Sequence, residues 1–137
     1  MGKAFEGEQQ TVSLYNGTTT AIGAYHFVRL EATAAHTWYM RLPTTALTHV
    51  TVGITQQDVP AGSWGNVAIS GISRVKVGST ALAMLKTTTN SVAANAAGHA
   101  VQVLASTSYT QAQMLANAAA SDICAVALTP LCNRRKL

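Results

Sequence analysis

The chain has 137 residues, a formal net charge of +4, a hydrophobic fraction of 48% and a charged fraction of 10%. This length suits one domain that can bury a core without relying on disulfides or metal ions. The charged fraction is far below the roughly 25% of typical globular domains, and small neutral residues take the place of the charges. Because few charges keep such surfaces apart, we expect another protein to cover much of this one.

The two ends of the chain differ in charge from its middle. Residues 1–10 are polar and acidic, with Glu6 and Glu8 close to Phe5, and we interpret them as an N-terminal arm. Residues 131–137 form a basic tail that contains Arg134, Arg135 and Lys136. Nothing between the two ends has the composition of an interdomain linker, so we predict a single β-rich domain over residues 11–130.

Short runs with strand-like alternation follow one another from residue 11, separated by turn residues such as Asn16-Gly17 and Gly78-Ser79. We predict strands over 11–15, 25–30, 37–42, 48–56, 66–70, 72–77, 81–86, 101–105 and 123–128. Many short strands with regular turns are typical of a β-sandwich or a small β-barrel. The predicted fold class is therefore all-β.

The strand predicted at 48–56 has the clearest alternation. Val50, Val52 and Ile54 fall on one face, while polar residues and a glycine fall on the other. The segment 58–62 then has the composition of a tight turn, with proline early and glycine at its end.

One segment departs from the strand pattern. Between residues 107 and 121, Ala112, Leu115 and Ala118 recur at helical spacing, and alanine, glutamine, methionine and leucine favour helix. Two interpretations stay open at this point, a short helical insertion near 107–121 or an alanine-rich loop.

A weak internal similarity links two short segments. Residues 60–62 and 96–98 are each an alanine- and glycine-containing turn, followed by an apolar strand at 67–70 and 101–103 respectively. Short turn-and-strand matches of this kind arise by chance in all-β proteins, so we do not infer a repeat from them.

The residues that catalysis or metal binding would need are sparse and scattered. The acidic residues are Glu6, Glu8, Glu31, Asp58 and Asp122, and the histidines are His26, His36, His49 and His99. None of the histidines is spaced as metal ligands usually are, and no nucleophile elbow, phosphate-binding loop or dinucleotide fingerprint is present. Cys124 lies within an apolar run, and the two cysteines form no ligand pair. We therefore predict a protein that is not an enzyme and that needs no cofactor or metal.

Large aromatic side chains and the basic tail supply the candidate interface residues. Trp64 sits between glycines in a turn, which suits either a cap on a barrel or an anchor in a neighbouring subunit. Trp38 is followed by Tyr39 and Arg41, a weak resemblance to a base-stacking platform. The candidate interface residues are Phe5, Trp38, Trp64, Arg134, Arg135 and Lys136. For the tail, a solvated basic segment is favoured over contact with nucleic acid.

The sequence also bears on location. The uncharged stretch 87–121 is interrupted too often by polar residues to be a membrane span, and the first residues lack a signal core. We therefore expect no membrane partner, and a protein that is made and used in the cytoplasm or in particles assembled there.

A family resemblance rests on three quoted stretches. Residues 52–62 have the sequence VGITQQDVPAG, residues 67–72 the sequence VAISGI, and residues 21–28 the sequence AIGAYHFV. Their strand-turn-strand pattern resembles that of the small capsid decoration proteins of tailed bacteriophages, also known as cement or head-stabilising proteins. The similarity extends over about residues 11–130, and the chain departs from the family pattern at 123–128, where it has ICAVAL.

The resemblance implies a role in the virion. Proteins of this family bind the outer surface of the phage head, stabilise the shell through contacts with the major capsid protein, and are often homotrimers. By that resemblance this chain would be a decoration protein on the capsid surface. An arm can add strand-pairing or apolar contacts to a neighbour, so we predict that arm 1–10 contributes to capsid binding.

Two other classes of function remain open. One is a different virion structural protein, such as a minor coat protein, a head–tail connector or a tail subunit. The other is a nucleic-acid-binding module that uses the basic tail.

Overall fold

The computed structural model describes residues 9–31, 38–44, 51–83, 91–103 and 112–128. Within these residues the chain is all-β and contains no helix, which confirms the predicted fold class. The strands are β1 (Gln10–Asn16), β2 (Phe27–Leu30), β3 (Tyr39–Arg41), β4 (Gly53–Thr55), β5 (Trp64–Lys76), β6 (Ser91–Ala94), β7 (Ala100–Gln102), β8 (Ala112–Met114) and β9 (Ile123–Leu128).

The first five strands close into a small barrel. They are hydrogen-bonded in the order β1-β3-β2-β4-β5, and β5 returns to pair with β1, so the ring has no free edge. The pairs are antiparallel except β1 with β3, which is parallel. The barrel interior is filled by Leu14, Ile22, Val28, Met40, Val52, Val59 and Val67.

The second half of the chain repeats this arrangement with the end of β5 as its first strand. Residues 71–76 of β5 pair with β9, which pairs in turn with β8, β6 and β7. A parallel bridge from Val77 to Ala100 closes this second ring, matching the parallel pairing of Asn16 with Met40 in the first. Its interior includes Val75, Val77, Leu82, Val92, Ala100, Ala112, Met114, Cys124 and Val126.

The two barrels correspond residue by residue at their turns. The Ile22–Val59 bridge of the first barrel matches the Leu82–Ala118 bridge of the second. Gly62 has a φ of 74°, and Ser121 takes the same left-handed conformation with a φ of 63°. The chain therefore contains a tandem repeat, although not through the segments 60–62 and 96–98 that look alike in sequence.

Strand β5 joins the two barrels through Gly71. The sequence predicts two strands there, 66–70 and 72–77, whereas the structure has one strand of 13 residues. Gly71 has a φ of 89°, a conformation that an L-residue with a side chain rarely adopts. One strand can thereby contribute its first half to one barrel and its second half to the next.

The prediction of a helix near 107–121 is wrong for the described residues 112–121. Ala112–Met114 is strand β8, with Ala112 and Met114 buried and Gln113 exposed, and a bridge and a turn follow. The residues of β8 have helical propensity, but pairing with β6 and β9 overrides that local preference. The side chains of Ala112 and Met114 pack inside the second barrel instead.

Other element predictions agree in part. β9 has the predicted bounds 123–128. The strand predicted at 81–86 is wrong over 81–83, where Leu82 forms an isolated bridge, and 84–86 lie outside the described residues. Of the strand predicted at 48–56, residues 48–50 lie outside the described part of the chain, and within 51–56 the strand is Gly53–Thr55. Both of its faces are buried because it lies between the two cores.

Candidate binding surface

Three aromatic side chains stand in a row across neighbouring strands of the first barrel. Tyr15 on β1 is paired in register with Tyr39 on β3 and with Trp64 on β5. The ring centroids of Tyr15 and Tyr39 are 4.7 Å apart, and those of Tyr15 and Trp64 are 5.5 Å apart. Trp64 is 55% exposed although it belongs to a strand. The row therefore offers a preformed apolar surface to another molecule.

Glycines make room for this row. A Cβ at Gly17 would lie inside the ring of Tyr39, so the turn after β1 tolerates no side chain there without moving that ring. Asn16 fixes the turn from within the barrel, because its amide donates to the carbonyls of Thr20 and Val59, both at 3.0 Å. The Asn-Gly turn seen in the sequence is thus also what positions Tyr39.

Two arginines lie beside the aromatic row. Arg41 is two residues beyond Tyr39 on β3, and Arg29 on β2 is its cross-strand partner. The carboxylate of Glu31 lies 3.5 Å from the guanidinium of Arg41. The Nε atoms of both arginines are shielded from solvent and have no hydrogen-bond partner. Like charges directly opposite each other repel, so this pair favours an additional anionic group nearby.

We call Tyr15, Arg29, Tyr39, Arg41 and Trp64 the aromatic–basic face. The second barrel lacks it, because the pairing registers place Lys76, Ala93, His99, Val101 and Ile123 at the corresponding positions. Trp38, which directly precedes Tyr39 in the chain, is 60% exposed. Tryptophan, tyrosine and arginine are the residue types that dominate the energetics of protein interfaces.

The residues predicted from sequence to form an interface are only partly described. Trp38 and Trp64 are both exposed, and Trp64 belongs to this face. Phe5, Arg134, Arg135 and Lys136 lie outside the described residues. Sequence reasoning noted Tyr39 and Arg41 beside Trp38 but missed Tyr15 and Arg29, whose partners along the strands are set by long-range pairing.

Residues 25–27 of the first barrel form backbone hydrogen bonds with the second barrel. The Lys76 N–H donates to the Tyr25 carbonyl at 2.8 Å, and the Phe27 N–H donates to the Gly98 carbonyl at 2.8 Å. Tyr25 holds a left-handed φ of 63°, and its N–H donates to the Thr55 carbonyl at 2.8 Å. These bonds make the junction between the barrels a fixed contact.

A histidine pair lies at the same junction. Nε2 of His26 is 3.0 Å from Nε2 of His99, and Nδ1 of His26 is 2.8 Å from the Ala24 carbonyl. Since a carbonyl only accepts, we assign the His26 proton to Nδ1, so that neutral His99 donates to His26 through Nε2. Burial lowers the pKa of His99 below its ordinary value of 6.5, and the nearby His26 and Lys76 lower it further.

Other features of the described residues give no indication of chemistry. A shallow pocket of 310 Å³ at the junction is lined by Gln9, Tyr25, Gln56, Ile72, Ser73, Arg74 and Ala125. Cys124 is buried as predicted, and burial raises the pKa of its thiol. No group of three potential metal ligands occurs among the described residues. In that same part of the chain, no helix has the length and apolar character needed to cross a membrane.

Comparison with known proteins finds a likeness in structure but none in sequence. No protein-family model and no curated relative matches the chain. The fold is similar to that of the head fiber gp8.5 N base in bacteriophage phi29, with a TM-score of 0.64 and 13% sequence identity. The match covers 93% of this chain and 98% of that one, so it extends over both barrels. At this level of identity the match shows a shared fold.

Proposed function

We propose that this chain is a structural protein of a bacteriophage head, and that it decorates the outer surface of the capsid. The observation that carries the proposal is the fold shared with the phi29 head fiber N base over nearly the full length of both chains. The match extends through the whole tandem arrangement, which is a more particular feature than a single small barrel.

The composition of the surface supports a structural role rather than a catalytic one. Only 10% of the residues are charged, and the aromatic–basic face combines residue types that anchor protein interfaces. A protein that binds the assembled shell more tightly than free coat subunits stabilises the shell by linkage, and many copies multiply a modest contribution. We propose the major capsid protein as the partner, and a homotrimer as the form that binds it.

Binding to empty capsids tests the proposal. Purified protein is mixed with empty heads of the phage that encodes it, and the bound fraction is measured by co-sedimentation. We expect saturable binding and greater resistance of the heads to heat. Absence of binding to heads in every maturation state would contradict the proposal.

A matched pair of variants tests whether binding to the heads depends on the aromatic–basic face. Trp64→Ala removes an exposed side chain from the first barrel, and Ile123→Ala removes the exposed residue, 47% accessible, at the equivalent position of the second. Loss of an anchor worth about 2 kcal/mol weakens binding about 30-fold. We expect that loss for Trp64→Ala alone. Equal affinity of both variants would exclude this face.

Electron cryomicroscopy of the same heads distinguishes the other virion roles. Density on the outer shell is expected, whereas density at the portal vertex or along the tail would identify a connector or tail subunit. Binding to DNA that falls steeply with salt and depends on the basic tail would instead favour the nucleic-acid-binding alternative.

A further inference from the structure

We propose that the acidic arm segment, residues 5–8, binds the aromatic–basic face of a second copy of this chain, so that the protein self-associates by exchange of arms. The segment has the sequence Phe-Glu-Gly-Glu, one aromatic residue followed by two carboxylates. The inference does not rest on capsid binding, and it can be tested with the purified protein alone.

The aromatic–basic face has more positive than negative charge. Arg29 and Arg41 lie directly opposite each other on β2 and β3, and the carboxylate of Glu31 pairs with Arg41. Two guanidinium groups thus share one carboxylate, and like charges directly opposite each other are destabilising. A second carboxylate beside the two guanidinium groups would neutralise the excess charge.

Each acidic residue in the described part of the chain already has a partner. Of the five acidic residues in the sequence, three lie in the described residues. Glu31 pairs with Arg41, Asp58 accepts from the Ala24 N–H at 2.8 Å, and Asp122 accepts from the Ile123 N–H at 2.8 Å. The remaining two are Glu6 and Glu8. They adjoin Phe5, an aromatic residue suited to packing against Tyr15, Tyr39 and Trp64.

The geometry of β1 requires that the contact be made between two chains. The register of β1 with β3 places Arg41 level with Gly17, which is eight residues beyond Gln9. A strand of that length spans about 26 Å, at roughly 3.3 Å per residue. Glu6 is three residues from Gln9, so its backbone reaches at most about 11 Å from that point. Even with both side chains extended, Glu6 falls short of Arg41 in its own chain.

A competing partner for the arm lies within the same chain. Gln9 is held at the barrel junction, where its side-chain amide donates to the Ile72 carbonyl at 2.9 Å, and Arg74 lines the same pocket. Arg74 is exposed, so water already satisfies its guanidinium, and an added carboxylate would contribute little. Arg29 and Arg41 gain more from a carboxylate, because they lie directly opposite each other and Glu31 pairs with Arg41.

The test is sedimentation velocity of the full chain over a range of concentrations, at low and high ionic strength. We expect reversible self-association that weakens with salt. Glu6→Lys with Glu8→Lys should weaken it by about tenfold or more. Arg29→Glu should weaken it similarly, and combining it with the arm variant should restore much of the loss, because the two charges are exchanged. Arg74→Glu, an equal change of charge on the second barrel, should have no effect.

Three results would overturn the proposal. A chain that stays monomeric at every concentration excludes arm exchange, and capsid binding in that case would assign the face to coat subunits. Self-association that persists unchanged in the arm variant excludes residues 5–8 as the occupant. A loss with Arg74→Glu and none with Arg29→Glu would place the arm at the barrel junction. Circular dichroism of each variant confirms that the fold is retained.

Discussion

Asn16 is a fully buried polar residue at the end of β1, and its replacement by valine tests how the first barrel is held closed. Its side chain donates to Thr20 and Val59 and accepts from the N–H and hydroxyl of Thr18. The equivalent residue of the second barrel is Val77, so valine fits the position in size. The substitution therefore isolates the hydrogen bonds from the packing.

The expected cost follows from the bonds that remain. The Val59 carbonyl still accepts from the Ile22 N–H at 2.9 Å, and the single proton of the Thr18 hydroxyl, released from Asn16, can be donated to the Thr20 carbonyl at 2.9 Å. Of the four hydrogen bonds of Asn16, one is thus replaced and three are lost. Each lost bond costs about 1 kcal/mol rather than a full desolvation penalty, and the added apolar surface returns about 1 kcal/mol. Asn16→Val should lower the free energy of unfolding by about 2 kcal/mol.

Urea unfolding followed by tryptophan fluorescence measures this change. With a slope of about 2 kcal/mol/M, the midpoint should fall by about 1 M. Ser13→Val, at an exposed position of the same strand, is the control and should change stability by less than about 0.5 kcal/mol. A loss below about 1 kcal/mol for Asn16→Val would refute the view that this amide holds the turn and the barrel together.

Three further predictions concern packing, pH and the arm. Gly53→Ala should lower the free energy of unfolding by about 2–3 kcal/mol in the same assay, because the Cβ of the alanine would collide with the Ala68 carbonyl oxygen. A neutral effect would contradict this packing. The contribution of His99 to the free energy of unfolding should be fully present above pH 6.5 and fall as the pH drops towards its lowered pKa, since the unfolded chain binds the proton more readily. His99→Gln should flatten this dependence. An unchanged profile would exclude His99 as its source. Deletion of residues 1–8, which precede β1 and Gln9, should leave the unfolding midpoint unchanged and reduce the occupancy of the protein on capsids. Undiminished occupancy would show that the arm does not contribute to capsid binding.

The aromatic–basic face could be predicted from the sequence only in part. Trp64 could be singled out because a tryptophan between glycines in a turn is unusual, and the structure leaves it exposed. The contact between Tyr15 and Tyr39 could not be predicted, since 24 positions separate them and nothing local indicates that β1 pairs in parallel with β3. Arg41 was noted beside Trp38 and Tyr39, but its pairing with Arg29 follows only from the register of β2 with β3.

The local sequence by itself determined the strand type, the turns and the scarcity of charge. Alternating small and β-branched residues do not form long amphipathic helices, and Gly62 specifies a turn through its left-handed backbone conformation. Asn16-Gly17 specifies a turn through the hydrogen bonds of the Asn16 side chain and the lack of a side chain at Gly17. β9 could be located to the residue because alternation and apolar character coincide there.

Tertiary structure decided what local preference leaves open. Alanine at 112 and methionine at 114 suit helix or strand, and pairing with β6 and β9 selected the strand. The tandem repeat was likewise hidden, because barrel cores constrain volume and register rather than identity, so that Asn16 and Val77 occupy the same place. Which residues meet on the surface depends on strand pairs far apart in sequence, and the aromatic–basic face exists only once those pairs have formed.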